Sequence, residues 1–315
     1  MNIKGKTIAA ACFVLLLIAA LTACGNQTES KDSSSKSKSE ETITYKAENG
    51  TVKVPKHPKR VVVMADDYFG YFKTLGLNVV GAPDRVFKNP YFKGKTDGVT
   101  NIGEGNSAEK VIQLKPDLIV VWTTQGADIE KLEKIAPTVA LKYDSLNSTE
   151  RLKDFAKMTG TEDQAEKWLA EWDKKVAAAK SKVQKAVGNK TVSIMQTNGK
   201  EIFVFGDQFG RGGSIVYQDL GLKATKLTKE KAIDEGPGYT SISLEKLPDF
   251  AGDYIFIGPW ESSGDDSAVI NTSIWKNLGA VKNQHVYKID PVGFYFSDPI
   301  SLEGQLEFIT ENLTK

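Results

Sequence analysis

Residues Glu162–Val187 run for 26 positions without a glycine or a proline, between regions where short β-rich segments alternate with helical ones. As a helix this run spans about 39 Å at 1.5 Å per residue, so it serves as a rigid spacer between two bodies. Gly160-Thr161 breaks a helical region that begins at Glu150, and Thr161 is the expected N-cap. Trp168, Leu169, Trp172 and Val176 recur at helical spacing and mark the buried face, a pattern that core packing explains without a site.

Ahead of the spacer, residues 60–64, 77–81, 117–122 and 138–141 read as strands, and 68–75, 108–114 and 129–135 as helices. Such alternation implies a parallel, mostly buried sheet covered by helices. After the spacer, 191–195, 201–205, 253–258 and 285–289 read as strands, with helices at 213–220 and 300–313. The second half echoes the first. Ser107-Ala108-Glu109-Lys110 precedes one apolar strand and Ser243-Leu244-Glu245-Lys246 another, each strand starting nine residues after the glutamate. The expected fold is α/β: two similar α/β lobes joined by one long spanning helix, with a ligand cleft between them.

The N-terminus has a separate logic. Lys4 and Lys6 precede the apolar or small stretch 7–23, which closes on Leu21-Thr22-Ala23-Cys24. That is a signal-peptide layout, too short to span a bilayer, with a box of the lipoprotein kind whose cysteine becomes acylated. Cys12 leaves with the signal, so Cys24 is the single mature thiol and is read as an anchor rather than a nucleophile, metal ligand or disulfide partner. Residues 25–41, rich in Ser and Lys with no aliphatic or aromatic side chain, read as a flexible leash. The expected organisation is a signal peptide at 1–23, a lipid-anchored linker at 24–41 and a first lobe at 42–160. An interlobe helix at 161–188 and a second lobe at 189–315 complete it.

Charge and chemistry narrow the function. The 41 basic and 40 acidic residues nearly cancel, which gives no support for nucleic-acid binding. The two histidines, His57 and His285, lack neighbouring carboxylates in a triad or metal-cage pattern, and no Gly-x-Ser-x-Gly elbow occurs. No catalytic residue, resident metal or cofactor is therefore expected. Two acidic doublets, Asp66-Asp67 and Asp265-Asp266, keep a lipid-anchored hydrolase open as an alternative, against their reading as loop surface charge.

A strand with alternating aromatics, Phe203 and Phe205, runs into Gly206-Asp207-Gln208-Phe209-Gly210-Arg211-Gly212-Gly213. Glycines let backbone approach a ligand, and Arg211 would aim a planar donor fork at paired oxygens. A nest that merely closes a strand–helix turn and a phosphate site are the competing readings. A second aromatic cluster, Phe294-Tyr295-Phe296, sits in a late loop where successive rings cannot all be buried together. Trp122 ends a first-lobe strand at its carboxyl side, and Tyr239 follows a Gly-Pro-Gly turn. Together these residues suggest an aromatic-walled cleft with one fixed cation.

The lipobox and leash, Pro58-Lys59-Arg60-Val61-Val62, Leu114-Lys115-Pro116-Asp117-Leu118-Ile119, residues 205–213 and Ile274-Trp275-Lys276-Asn277-Leu278 carry a resemblance over nearly the whole mature chain. It resembles the iron(III)-siderophore substrate-binding lipoproteins of ABC importers, nearest to the ferric hydroxamate (ferrichrome-type) receptors of helical-backbone, class III type. The resemblance implies a ferric hydroxamate siderophore as ligand, bound without catalysis by a monomer tethered through Cys24 to the outer face of the cell membrane. Iron would be held only through the siderophore. Arg211 would bond the hydroxamate oxygens, with Phe209, Phe203, Tyr295, Phe296, Trp122 and Tyr239 as aromatic wall. Some relatives carry Trp or Tyr where this chain has Phe203 and Phe209, so stacking alone carries over there. Glu109 and Glu245, one per lobe, would dock on the ABC permease, although a glutamate in a helix's first turn also serves the helix dipole. Haem, cobalamin or a catecholate siderophore are the alternative ligands for the same fold.

Overall fold

The computed structural model describes residues 41–143, 146–261 and 264–315. The signal, Cys24 and nearly all of the leash lie outside the described residues. Among the described residues twelve strands form a hairpin and two five-stranded sheets. The hairpin pairs β1 (Thr42–Ala47) with β2 (Gly50–Pro55). Its alternating pattern was legible in the sequence but is not among the expected strands.

The first sheet has the order β5-β4-β3-β6-β7 and is parallel throughout. It comprises β3 (Val61–Val63), β4 (Val79–Ala82), β5 (Thr100–Asn101), β6 (Leu118–Trp122) and β7 (Thr138–Leu141). Helices α1 (Phe69–Thr74), α2 (Ala108–Gln113) and α3 (Ile129–Glu133) supply connections, as the alternation implied. Successive residues of a strand face opposite sides, so Val61, Val63, Leu118 and Val120 enter one core while Val62, Ile119 and Val121 enter another. Every one of these side chains is fully buried, which is why the strands read as continuous apolar runs.

Helix α4 (Ser148–Thr159) starts at a capping box on Asn147 and Glu150 and ends at Gly160 in left-handed conformation (φ +66°). Helix α5 (Glu162–Val187) then crosses between the lobes. Ala165 belongs to the first-lobe core, whereas Trp172, Ala179, Val183 and Val187 belong to the second, and Trp168 packs against both. Thr161 occupies the N-cap position but does not cap. Its hydroxyl pairs with that of Thr159 at 2.9 Å instead.

The second sheet departs from the expected repeat. Its order is β10-β9-β8-β11-β12, built from β8 (Val192–Asn198), β9 (Glu201–Phe205), β10 (Tyr239–Ile242), β11 (Tyr254–Pro259) and β12 (Val286–Lys288). Only the β8–β11 and β11–β12 pairs are parallel; β8–β9 and β9–β10 are antiparallel. The cause is local. Gly199 (φ +59°) and Lys200 alone link Asn198 to its partner Glu201, and so short a connection can only reverse the chain. The repeated glutamates do behave alike, since β6 and β11 both start nine residues later and both sit between two parallel neighbours.

The last segment ties the lobes a second time. Val292 and Phe296 join the first-lobe core, while Phe294 and the helix Pro299–Leu313 pack in the second. Tyr71 Oη donates to the Ser297 carbonyl at 3.0 Å, and Asn89 Nδ2 donates to Ser301 Oγ at 2.9 Å. A Cβ on Gly304 would fall 2.2 Å from the Tyr91 ring, so glycine is what lets that helix lie so close. Hinging the lobes apart would uncover Phe296 and break this seam.

Candidate functional site

Strand carboxyl ends from both sheets converge on two cavities, each lined by residues of both lobes. One, of about 700 Å³, is lined by Asp66, Arg85, Arg211, Trp260 and Tyr295 among others. The other, of about 690 Å³, lies toward α5 and includes Tyr68, Tyr143, Trp168 and Asp207 in its wall. Both fall in the size range of small-molecule sites.

Arg211 occupies the turn between β9 and a short π-helix, Ser214–Asp219. Its backbone is left-handed (φ +58°) between Gly210 (φ +68°) and Gly212 (φ +80°). For a non-glycine residue that conformation costs on the order of 1 kcal/mol and is held by its surroundings. The close approach is genuine, because a Cβ on Gly213 would meet the Gly206 carbonyl oxygen at 1.9 Å. The turn delivers the guanidinium into a ring cage. Its centre stands 4.7 Å from the Tyr295 ring, 5.3 Å from Trp260, 5.4 Å from Phe205 and 5.7 Å from Phe209. Such distances are cation–π contacts.

The polar surroundings of Arg211 are sparse. Nε donates to Gln196 Oε1 at 2.9 Å, and Nη1 reaches the Tyr295 carbonyl only at 3.5 Å. Among the described residues no carboxylate forms an ion pair with it, although the side chain is only 3% exposed. Burial accordingly holds its pKa below the usual arginine value. A buried cation without an anion is costly, so the site is preorganised for acceptors that arrive from outside.

The sequence-selected aromatics divide. Phe209 lies tilted against Tyr239 (4.7 Å between centroids), and Phe203 lies 4.5 Å from Trp260 and 6.3 Å from Tyr239. Tyr295 lines the Arg211 cavity. Phe296 does not belong with them: it is wholly buried against Phe92 at 5.3 Å in the first-lobe core, whereas Phe294 enters the second-lobe core and the half-buried Tyr295 between them faces the cavity. Trp122 lies in the first lobe, edge-on to Tyr68 (5.7 Å) and Tyr143 (5.2 Å), which both line the α5-side cavity. Its own indole N–H is buried without an acceptor among the described residues.

Two cleft residues escaped the sequence reading. Trp260 directly follows β11, as Trp122 ends β6, but it lies two positions beyond Gly258, the residue that the internal repeat aligns with Trp122. Arg85 follows β4 at its carboxyl end; its guanidinium lies 4.3 Å from the Tyr295 ring and 3.6 Å from Asp66. The Tyr295 ring thus meets one arginine from each lobe. Asp66 is only 8% exposed, so it is not the surface charge expected of that doublet. Burial raises its pKa while Arg85 opposes the rise.

Asp265-Asp266 is structural. Asp265 bonds the Ser267 backbone and hydroxyl, and Asp266 pairs with Lys288, away from both cavities. His285 stacks on Tyr254 at 4.3 Å, and no cluster of three metal-binding side chains occurs among the described residues. Glu109 and Glu245 are both exposed in the first turn of a short helix. Each carboxyl is held below its usual pKa: Glu109 by its own backbone N–H and Ser107, Glu245 by Ser243 and its own backbone N–H.

A family model described as periplasmic binding protein matches residues 61–292, from β3 to the loop bearing Tyr295. The chain belongs to the periplasmic binding protein family. Within this family it is 78% identical over 310 residues to the iron(3+)-hydroxamate-binding protein FhuD of Bacillus subtilis (strain 168), covering 98% of both chains. A crystal structure of an FhuD fold-family component of a Fep/Fec-like ferrichrome ABC transporter from Bacillus subtilis matches with TM-score 0.84 and 80% identity. It covers 86% of this chain and 100% of that one. FhuD2 of Staphylococcus aureus, solved with bound ferrioxamine B, matches at TM-score 0.74 and 33% identity over 82% of this chain and 98% of its own. These periplasmic binding proteins share the arrangement found here, two sheet-bearing lobes with a long helix between them.

Proposed function

We propose that this protein captures a ferric hydroxamate siderophore in the interlobe cleft and hands it to an ABC permease, without converting it. The observation that carries the reading is Arg211, a buried guanidinium with no anionic partner among the described residues and four aromatic rings around it. Three hydroxamates neutralise Fe³⁺, so the complex presents paired oxygens in a bulky, nearly uncharged shell. A donor fork suits the oxygens and ring faces suit the shell. Relatives whose names specify iron(3+)-hydroxamate or ferrichrome support the same ligand class.

Arg211, Phe209, Phe203, Tyr239 and Tyr295 make up the second-lobe side of the proposed site, joined by Trp260, with Arg85 reaching in from the first lobe. Trp122 would contribute through Tyr68 and Tyr143, across the α5-side cavity. A catecholate complex, strongly anionic, suits this cleft poorly: Asp66, Asp84, Glu104 and Glu261 outnumber Arg85, Lys88 and Arg211 along the Arg211 cavity. Residues 1–23 act as a signal, Cys24 as the lipid anchor on the outer face of the cell membrane and 25–41 as a leash, with Glu109 and Glu245 docking the permease. Two acyl chains on one cysteine suffice for a stable tether.

Tryptophan fluorescence tests the reading, because Trp260 lies beside Arg211 and a ferric complex quenches nearby indoles. Saturable quenching by ferrichrome or ferrioxamine B, and none by a ferric catecholate, is the expected result. Absence of quenching by any trihydroxamate refutes it.

A further inference from the structure

Gln196 lies in the middle of the second sheet, on β8, opposite Phe203 of β9 and Gly258 of β11. Strand alternation puts its side chain on the face of Val192 and Ile194, inside an apolar core, and it is completely buried. A primary amide in such a place is costly unless both of its ends are bonded. Only one is. Oε1 accepts from Arg211 Nε at 2.9 Å, whereas Nε2 is buried with no partner among the described residues.

A different side chain would serve the fold better, and this points to a role in binding. Glutamate has the same shape, could accept from two guanidinium nitrogens and would leave no orphaned donor. Methionine would fill the same volume without burying an amide. Glutamine does what neither can: it fixes one edge of the guanidinium without placing a carboxylate in an ion pair with it. The other groups that act on Arg211 are Tyr295, Tyr143, Asp67 and Arg85, and among the described residues none of them is ion-paired to it.

We infer that Gln196 is a positioning residue that orients Arg211 through Nε and, by being neutral, keeps its positive charge available to ligand oxygens. The inference rests on the functional reading above and names what makes that site selective for acceptor-rich, weakly charged complexes. Its cost is the orphaned Nε2, an instance of stability given up at a binding site.

The test is a pair of variants of the mature protein, Gln196→Glu and Gln196→Met, each titrated with ferrichrome by fluorescence and unfolded thermally. Gln196→Glu is expected to keep an unfolding midpoint at or above that of the parent and to bind about tenfold more weakly or worse, the worth of one charge-assisted hydrogen bond. A merely structural glutamine would lose midpoint and affinity together. Binding within about twofold of the parent overturns the inference. Should Gln196→Glu not fold, Gln196→Met decides: weakened binding by a folded variant supports the positioning role, and parental affinity refutes it. A parent that binds neither ferrichrome nor ferrioxamine B defeats the functional reading itself; a parent that binds alongside variants that bind equally well defeats the inference alone.

Discussion

Replacing Arg211 with methionine separates the cost of a buried charge from its use. Arg211 lines the cavity, its Nη1 reaching a protein acceptor only at 3.5 Å, and two bonds from the Nη groups to ligand oxygens would contribute roughly 1.5–3 kcal/mol each. Losing two of them removes at least about 3 kcal/mol of binding, a weakening of more than about 100-fold. For the fold the terms oppose. The variant loses the Gln196 bond, roughly 1.5–3 kcal/mol because its donor is charged, and four ring contacts at 4.7–5.7 Å worth about 0.5 kcal/mol each. It is relieved of several kcal/mol of desolvation, since the cation is 3% exposed and no carboxylate among the described residues forms an ion pair with it. The left-handed backbone (φ +58°) is equally strained with either side chain. Arg211→Met should therefore cost binding about two orders of magnitude and leave the unfolding midpoint nearly unmoved. Fluorescence titration with ferrichrome and thermal unfolding by circular dichroism read the two quantities on one sample. Unchanged affinity refutes the site, and a midpoint lower by more than about 6 °C, some 2 kcal/mol in a chain of this size, refutes the cost assigned to a charge without an ion pair.

Two further outcomes follow from other residues. Asp298 caps the last helix through Oδ1, while Oδ2 is buried without a partner among the described residues. Burial pushes its pKa up to about 6 from 3.8. The folded chain thus holds a proton that the unfolded chain releases, so this group's contribution to stability rises as pH falls from 6 toward 3.8 and vanishes above about 7. Relative to Asp298→Asn, the parent should gain about 1.4 kcal/mol between pH 7.5 and pH 5 in urea unfolding; parallel pH profiles would contradict the assignment. At the proposed docking surface, Glu109→Ala combined with Glu245→Ala should leave ferrichrome affinity intact and lower iron import by cells. Unchanged uptake removes that role from both glutamates.

Local rules accounted for much of the cleft. The glycine-flanked arginine identified itself because only a tight turn with left-handed residues needs that composition, and the structure gives Gly210, Arg211 and Gly212 positive φ in succession. Trp260 carried no such mark, since the internal repeat aligns Trp122 with Gly258. Arg85 carried no local sign at all, since a strand-end arginine gains meaning only when Tyr295, more than 200 positions away, lies 4.3 Å from it. Phe296 shows the opposite error. Three adjacent aromatics are indistinguishable in sequence, and which one turns into the first-lobe core is decided by the seam with Phe92.

By itself the sequence determined the two parallel-sheet motifs, the spanning helix and the cation, because hydrophobic period, uninterrupted helix formers and glycine placement act over a few residues. Tertiary structure decided the pairing of lobes through Phe296, Tyr71 and Asn89, and the burial of Arg211 without an ion pair to any described carboxylate. Each of these depends on which distant surfaces exclude water from one another, a property of packed elements that short-range pattern does not encode.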